Sequence, residues 1–277
     1  MYHSVNGTRY WYEIHGEGHP LVMLHGFTGS SATWSNFMEN WQTGLQIITV
    51  DLPGHGKTRA PHPKTMEECC ADLKDLFDYL GLDDFHLLGY SMGGRTALSF
   101  AMIYPKMISS LILESASPGL ATEDERKQRI LKDEALAKKI EQEGIEAFVD
   151  FWENIPLFQS QKKLPKEVRE NIRAERLSQK ERGLAQSLRY MGTGSQPSWW
   201  NKLGQLDQPV MLLAGKYDDK FISINNLMEK SLTDGGLIIC ENAGHAIHVE
   251  QPEFFGKMVK TCIFTTEYFK RIKKEEE

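Results

Sequence analysis

The sequence predicts an α/β fold: a mostly parallel sheet with helices on both faces and an inserted helical lid. Three observations carry that expectation. Short, continuously apolar, β-branched runs recur along the chain, as strands buried on both faces require. Amphipathic helical segments alternate with them. The alternation then fails over residues 118–206, which are densely charged and helical in pattern, with no good strand candidate. The 277 residues, 40% hydrophobic and 25% charged, suit one large domain carrying an insertion. A chain of this length can bury roughly three quarters of its unfolded surface without staples.

Taken in order, residues 10–14 read as an early strand rich in aromatics, ended by Gly16-Glu17-Gly18. Residues 20–24, 45–50, 85–88, 109–113 and 210–214 are the buried parallel strands, and 237–240 is a further short one. Residues 65–80 place Met66, Cys69, Cys70, Leu73, Leu76, Phe77 and Leu80 on one helical stripe. Residues 96–103 and 254–262 are two more helices. Helical patterns fill 122–144, 146–152 and 167–191 within the insertion. The core is therefore expected in 1–117 and 207–277, with 118–206 as a lid, because long insertions in such domains commonly cover active sites. The alternative is a helical appendage with solvated charged faces.

A net charge of -6 leaves no basic excess to neutralise phosphates, so nucleic-acid and anionic-membrane partners are not expected. Four cysteines at 69, 70, 240 and 262 have no metal or thioredoxin-type spacing and read as reduced thiols. Residues 1–7 lack a basic segment followed by an apolar run, so no signal peptide is expected. No apolar run reaches the roughly 18 residues a membrane helix needs. These features favour a cytoplasmic protein. The tail 270–277 mixes Lys and Glu and reads as a frayed end.

Gly89-Tyr90-Ser91-Met92-Gly93 follows a strand and opens a helix. This is the G-x-S-x-G elbow, in which a sharp turn exposes a serine hydroxyl. His25-Gly26-Phe27-Thr28-Gly29 follows another strand, and loops so placed supply one backbone N–H to an oxyanion hole. The donors would be Phe27 and Met92. His245 follows the strand at 237–240, and Asp218 follows the strand at 210–214. Ser91, Asp218 and His245 thus all lie past the carboxyl ends of strands, where open α/β sheets bind ligands. His248 is the rival base and Asp219 the rival acid. His55, in Asp51-Leu52-Pro53-Gly54-His55-Gly56, reads as structural.

On these residues, 1 to about 265 resemble the α/β-hydrolase fold superfamily. More narrowly, the chain resembles the 2-succinyl-6-hydroxy-2,4-cyclohexadiene-1-carboxylate synthase family of menaquinone biosynthesis. The narrower likeness rests on Gly94-Arg95 after the elbow, on Glu114-Ser115-Ala116-Ser117-Pro118-Gly119-Leu120 and on Phe151-Trp152. It rests also on Met191-Gly192-Thr193-Gly194-Ser195-Gln196-Pro197-Ser198 and on Gly215-Lys216-Tyr217-Asp218.

The resemblance implies a lyase that eliminates pyruvate from 2-succinyl-5-enolpyruvyl-6-hydroxy-3-cyclohexene-1-carboxylate. It also implies a triad that abstracts a ring proton rather than forming an acyl-enzyme. Ser91 would be the base, His245 would raise its basicity and Asp218 would orient the imidazole. A substrate with several carboxylates needs pocket cations. Arg95 opposes the positive end of its own helix dipole, at about 0.3–1 kcal/mol, yet its fork matches a carboxylate. Arg129 and Arg176 are the lid arginines the family pattern selects. Arg126, Lys132, Arg173, Arg182 and Arg189 read mainly as solvated helix faces. Tyr90, Trp152 and Lys220 complete the implied substrate contacts, and Trp199 and Trp200 would fix the lid to the core. No metal or organic cofactor is implied. The partner is a small anionic carboxylate, and the chain is expected as a monomer or weak homo-oligomer. A carboxylesterase or carbon–carbon hydrolase is the alternative activity, and a ligand-binding receptor on the same fold is a third.

Overall fold

The computed structural model describes residues 1–41 and 43–276, the side chains of 273–276 excepted. Its secondary elements run β1 (Tyr2–Val5), β2 (Thr8–His15), β3 (Glu17–Leu24), α1 (Ser35–Asn40), β4 (Thr43–Val50), α2 (Met66–Tyr79), β5 (Phe85–Tyr90), α3 (Met92–Ile103) and β6 (Ile108–Glu114). Then come α4 (Glu123–Trp152), α5 (Lys166–Leu177), α6 (Glu181–Met191), β7 (Val210–Gly215), α7 (Asp219–Glu229), β8 (Gly235–Cys240), α8 (Ile247–Glu250) and α9 (Pro252–Glu276). Short 3₁₀ turns complete the connections.

The eight strands form one sheet in the order β1-β2-β4-β3-β5-β6-β7-β8. β1 and β2 pair antiparallel, and the strands from β4 to β8 are parallel. Every residue of β5, β6 and β7 is buried, which is why these segments read as unbroken apolar runs. α2, α3 and α7 pack their apolar residues on one face. α1, α8 and α9 cover the other with Trp34, Phe37, Ile247, Phe255 and Val259. Thr65 and Glu68 close a capping box at the start of α2, whose stripe from Met66 to Phe77 is buried. The adjacent Cys69 and Cys70 sit in that core, where burial pushes both thiols up. No helix among the described residues is long and apolar enough to cross a membrane.

Between β6 and β7 the described chain is helical or irregular. α4 breaks at Gly144, where φ is +81°, and its two arms pack on α6 through Ala137, Ile140, Phe148, Val149, Leu184 and Leu188. The single helix expected over 167–191 is two helices, α5 and α6, separated by a short turn.

Two arginines expected on solvated faces instead tie this segment together. Arg189 of α6 holds Glu134 and Glu141 of α4, and those hydrogen bonds raise its pKa. Arg173 of α5 holds Asp150 and Glu153, each at 2.6 Å. Trp199 donates its indole N–H to Ser99 Oγ at 2.9 Å, and Trp200 donates to the Gly119 carbonyl at 3.0 Å. The tail differs from a frayed end as well. Over its described residues α9 continues to Glu276, and Lys270 reaches Asp84 at 2.5 Å.

At one seam between this segment and the core, two backbones touch. A Cβ on Gly183 would lie 2.3 Å from the Gly54 carbonyl oxygen, and one on Gly54 would lie 2.4 Å from the Gly183 oxygen. Neither neighbour is a flexible side chain, so the strain cannot relax cheaply. Gly183→Ala is expected to cost about 1–3 kcal/mol and to speed proteolysis within 118–206 more than within the core. Equal protection of wild type and variant would show that the two backbones can part freely.

Candidate active site

Three strands deliver three side chains to one edge of the sheet. Ser91 follows β5, Asp218 follows β7 and His245 follows β8. Parallel neighbours end at the same level, so residues far apart in sequence meet there. The turn at Ser91 is strained: its φ is +51° and ψ is -104°, a conformation an L-residue rarely adopts. Tight packing enforces it, because a Cβ on Gly93 would lie 2.1 Å from the Leu24 carbonyl oxygen. Only glycine lets α3 start this close to β3.

His245 Nε2 lies 3.0 Å from Ser91 Oγ, and His245 Nδ1 lies 2.6 Å from Asp218 Oδ2. With the Nδ1–H donating to the carboxylate, Nε2 is left to accept the serine hydroxyl. Asp218 and His245 are both buried, and Asp218 Oδ1 also accepts the Phe221 N–H at the start of α7. Asp219, the rival acid, is exposed. Among the described residues the backbone N–H groups of Phe27 and Met92 make no internal hydrogen bond. They are thus free to donate beside Ser91, and both residues line the same cavity as Ser91.

That cavity measures about 390 Å³ and lies between the sheet edge and the 118–206 segment. Tyr90, Arg95, Arg129, Trp152 and Lys220 line it, as expected. Arg95 donates from Nη1 to the Met191 carbonyl at 2.8 Å and to Gln196 Oε1, leaving Nε and Nη2 for a ligand. Burial, and then the Arg129 charge, push its pKa down to about 10, so it stays cationic. Arg129 donates to Asp133 at 2.8 Å. Trp152 faces Phe27, Phe148 and Phe158 with ring centroids 5.5–5.8 Å apart. Burial, then the Glu114 charge, raises the Tyr90 phenol, which is therefore protonated.

Arg176 is the exception. It does not line this cavity; its guanidinium lies 4.7 Å from the centroid of the Phe158 ring and donates to Gln161 Oε1 at 3.2 Å. It faces a neighbouring hollow that shares Phe27, Tyr90 and Phe158 as a wall. The Phe158 ring on which it packs lines both hollows. His248 is not a base here either. Its Nδ1 sits 2.9 Å from Glu114 Oε2 and its backbone N–H donates to Glu114 Oε1 at 3.0 Å. This buried pair backs the Tyr90 ring, 4.6 Å away. His55 packs on His25 and Phe27, and burial pushes its pKa down to about 3.

Sequence reasoning missed Gln196, which holds Arg95, and Asp133, which holds Arg129. Both lie within residues 118–206, where no strand end announces them. It also left Lys132 among solvated faces, whereas Lys132 lines the cavity.

Residues 19–252 match the alpha/beta hydrolase fold family. A putative 2-succinyl-6-hydroxy-2,4-cyclohexadiene-1-carboxylate synthase of Bacillus subtilis (strain 168) is 48% identical over 244 residues, 86% of this chain and 88% of that protein. A protein of Enterobacter sp. (strain 638) with the same synthase name is 32% identical over 237 residues, 84% of this chain and 86% of that one. The solved structure of MenH from S. aureus superposes with a TM-score of 0.90 at 38% identity, covering 92% of this chain and 98% of that one.

Proposed function

The chain belongs to the alpha/beta hydrolase fold family and, within it, to the 2-succinyl-6-hydroxy-2,4-cyclohexadiene-1-carboxylate synthases; from this we propose that it is a lyase whose Ser91–His245–Asp218 relay eliminates pyruvate. The substrate is 2-succinyl-5-enolpyruvyl-6-hydroxy-3-cyclohexene-1-carboxylate. One observation carries the choice of a lyase. Arg95, Arg129, Lys132 and Lys220 line the cavity around Ser91, against Asp133 as the lining acid. A chain of net charge -6 gains nothing from concentrating cations there unless the ligand is a polyanion.

The ring hydrogen at C2 is acidified by the succinyl ketone. Ser91 Oγ takes that proton while its own passes to His245 Nε2, and Asp218 stabilises the imidazolium. The electrons move onto the ketone oxygen, where the Phe27 and Met92 N–H groups stabilise the charge. As the enolate collapses, double bonds form at C2–C3 and C4–C5 and the C5–O bond breaks. The imidazolium returns its proton to the departing enolpyruvate, which becomes pyruvate. No bond to Ser91 forms, so no water is needed to release product, unlike an acyl-enzyme. Arg95, one turn beyond Ser91, binds a carboxylate close to the reacting ring. On this reading the enzyme acts in the cytoplasm on a small carboxylate, as a monomer or weak homo-oligomer, without metal or cofactor.

The test is to incubate the purified chain with the enolpyruvyl compound. Equimolar pyruvate and a conjugated-diene absorbance are expected. Rapid turnover of short p-nitrophenyl esters with no pyruvate would replace this reading with an esterase.

A further inference from the structure

We propose that Lys132 and Lys220, together with Arg129, form a second anionic subsite that bridges the lid and the core and selects substrates by the terminal carboxylate of the succinyl arm. The inference rests on the pyruvate-eliminating reading for the identity of the anion, but not for the existence of the subsite.

Several lysines of the lid helices are neutralised locally. Lys127, Lys138, Lys139 and Lys166 each pair with a glutamate one turn away. Lys132 cannot do so, because Gln128 and Leu136 occupy the positions four residues to either side. One turn back stands Arg129, so the two cations share one face of α4 and both line the cavity. Opposite them, Lys220 in the first turn of α7 lines it from the core side. Among the described residues neither lysine has a carboxylate within ion-pair distance, and Lys220 has only the Phe221 ring, 5.3 Å from its ammonium.

The three charges are close enough to act on one another. Burial, then Arg129, and more weakly Lys132, lower the Lys220 pKa, while Asp218 raises it. Without ligand, the cluster holds an excess of positive charge even with Arg129 paired to Asp133 at 2.8 Å. A carboxylate between Lys132 and Lys220 is attracted from both sides.

The chemistry of the ligand decides which carboxylate goes there. The ring carboxylate and the enolpyruvyl carboxylate lie within a few bonds of the reacting carbons, so they must stay near Ser91 and Arg95. The succinyl arm carries its charge two methylenes beyond the ketone, and that arm can reach out between lid and core. A simple ester or mono-acid has no group for the subsite.

Lys132→Met and Lys220→Met keep most of each side chain and remove the charge. With the full substrate, each is expected to raise KM about tenfold with kcat within threefold. Lys132→Arg should restore most of the loss. With a substrate methyl-esterified at the end of the succinyl arm, wild type should show the raised KM already, and the two variants should add nothing. Calorimetric binding of 2-succinylbenzoate, a stable dicarboxylate with the same arm, reads the subsite without turnover and should weaken in both variants by a similar factor. Unchanged KM and unchanged binding would overturn the proposal, as would an equal loss on the methyl ester. If the wild type released no pyruvate yet bound 2-succinylbenzoate in a lysine-dependent way, the subsite would stand and the lyase reading would fall.

Discussion

Ser91→Gly is expected to abolish pyruvate release and to stabilise the protein at the same time. The two effects have one origin. Ser91 sits at φ +51°, ψ -104°, and holding a non-glycine residue in such a region costs about 1–3 kcal/mol. Glycine removes that strain. It returns about 0.5–1 kcal/mol of it through a more flexible unfolded chain, so a net gain of about 1 kcal/mol is expected. Denaturant midpoint at constant m-value measures it. The chemical loss is larger, because removing a positioned base costs about 10²–10⁴ in rate. Ser91→Ala is the control: equally inactive but without the gain in stability. If Ser91→Gly kept more than a tenth of wild-type turnover, His245 would be acting on substrate directly and the relay would be wrong.

Asp218→Asn should lower kcat by about 10³–10⁴ with little change in KM, the size seen when the orienting acid of such a relay is lost. The amide still fits the site and can still accept the Phe221 N–H that caps α7. It can, however, offer an N–H to His245 Nδ1, now 2.6 Å from Oδ2. The imidazole would then carry its proton on Nε2, facing Ser91, and could no longer accept from the hydroxyl. The prediction is read from steady-state kinetics beside a binding measurement with 2-succinylbenzoate, which should be unchanged. A matching loss of binding would point to collapse of the site instead.

The parts of the site held by the sheet were legible in the sequence, and the parts held by residues 118–206 were not. Buried parallel strands announce themselves as apolar runs, and the residues just past 85–88, 210–214 and 237–240 must come to one edge. That reasoning brought the three residues to one edge, where His245 lies within hydrogen-bonding reach of both Ser91 and Asp218. β1 was overlooked because its side chains are mostly exposed and polar. The signal was present in Asn6-Gly7, a pair suited to a two-residue hairpin turn, with φ of +46° and +78°. In the 118–206 segment, direction depends on how each helix is seated. Arg176 and Lys132 are both basic residues on amphipathic helices, and periodicity cannot tell that the first will pack on Phe158 beside a neighbouring hollow while the second lines the cavity. The break between α5 and α6 has no Gly or Pro to mark it, unlike Gly144 within α4.

Phe27 serves two structures at once. Its backbone N–H is the proposed partner of the charged ketone oxygen, and its ring packs against Phe148 and Trp152 of the roof. The catalytic donor and the cover are therefore mechanically one part. Any change that unseats Phe148 or Trp152 would therefore also disturb the aim of the Phe27 N–H. Alignment of the donor depends on aromatic packing contributed by residues more than a hundred positions away in the sequence.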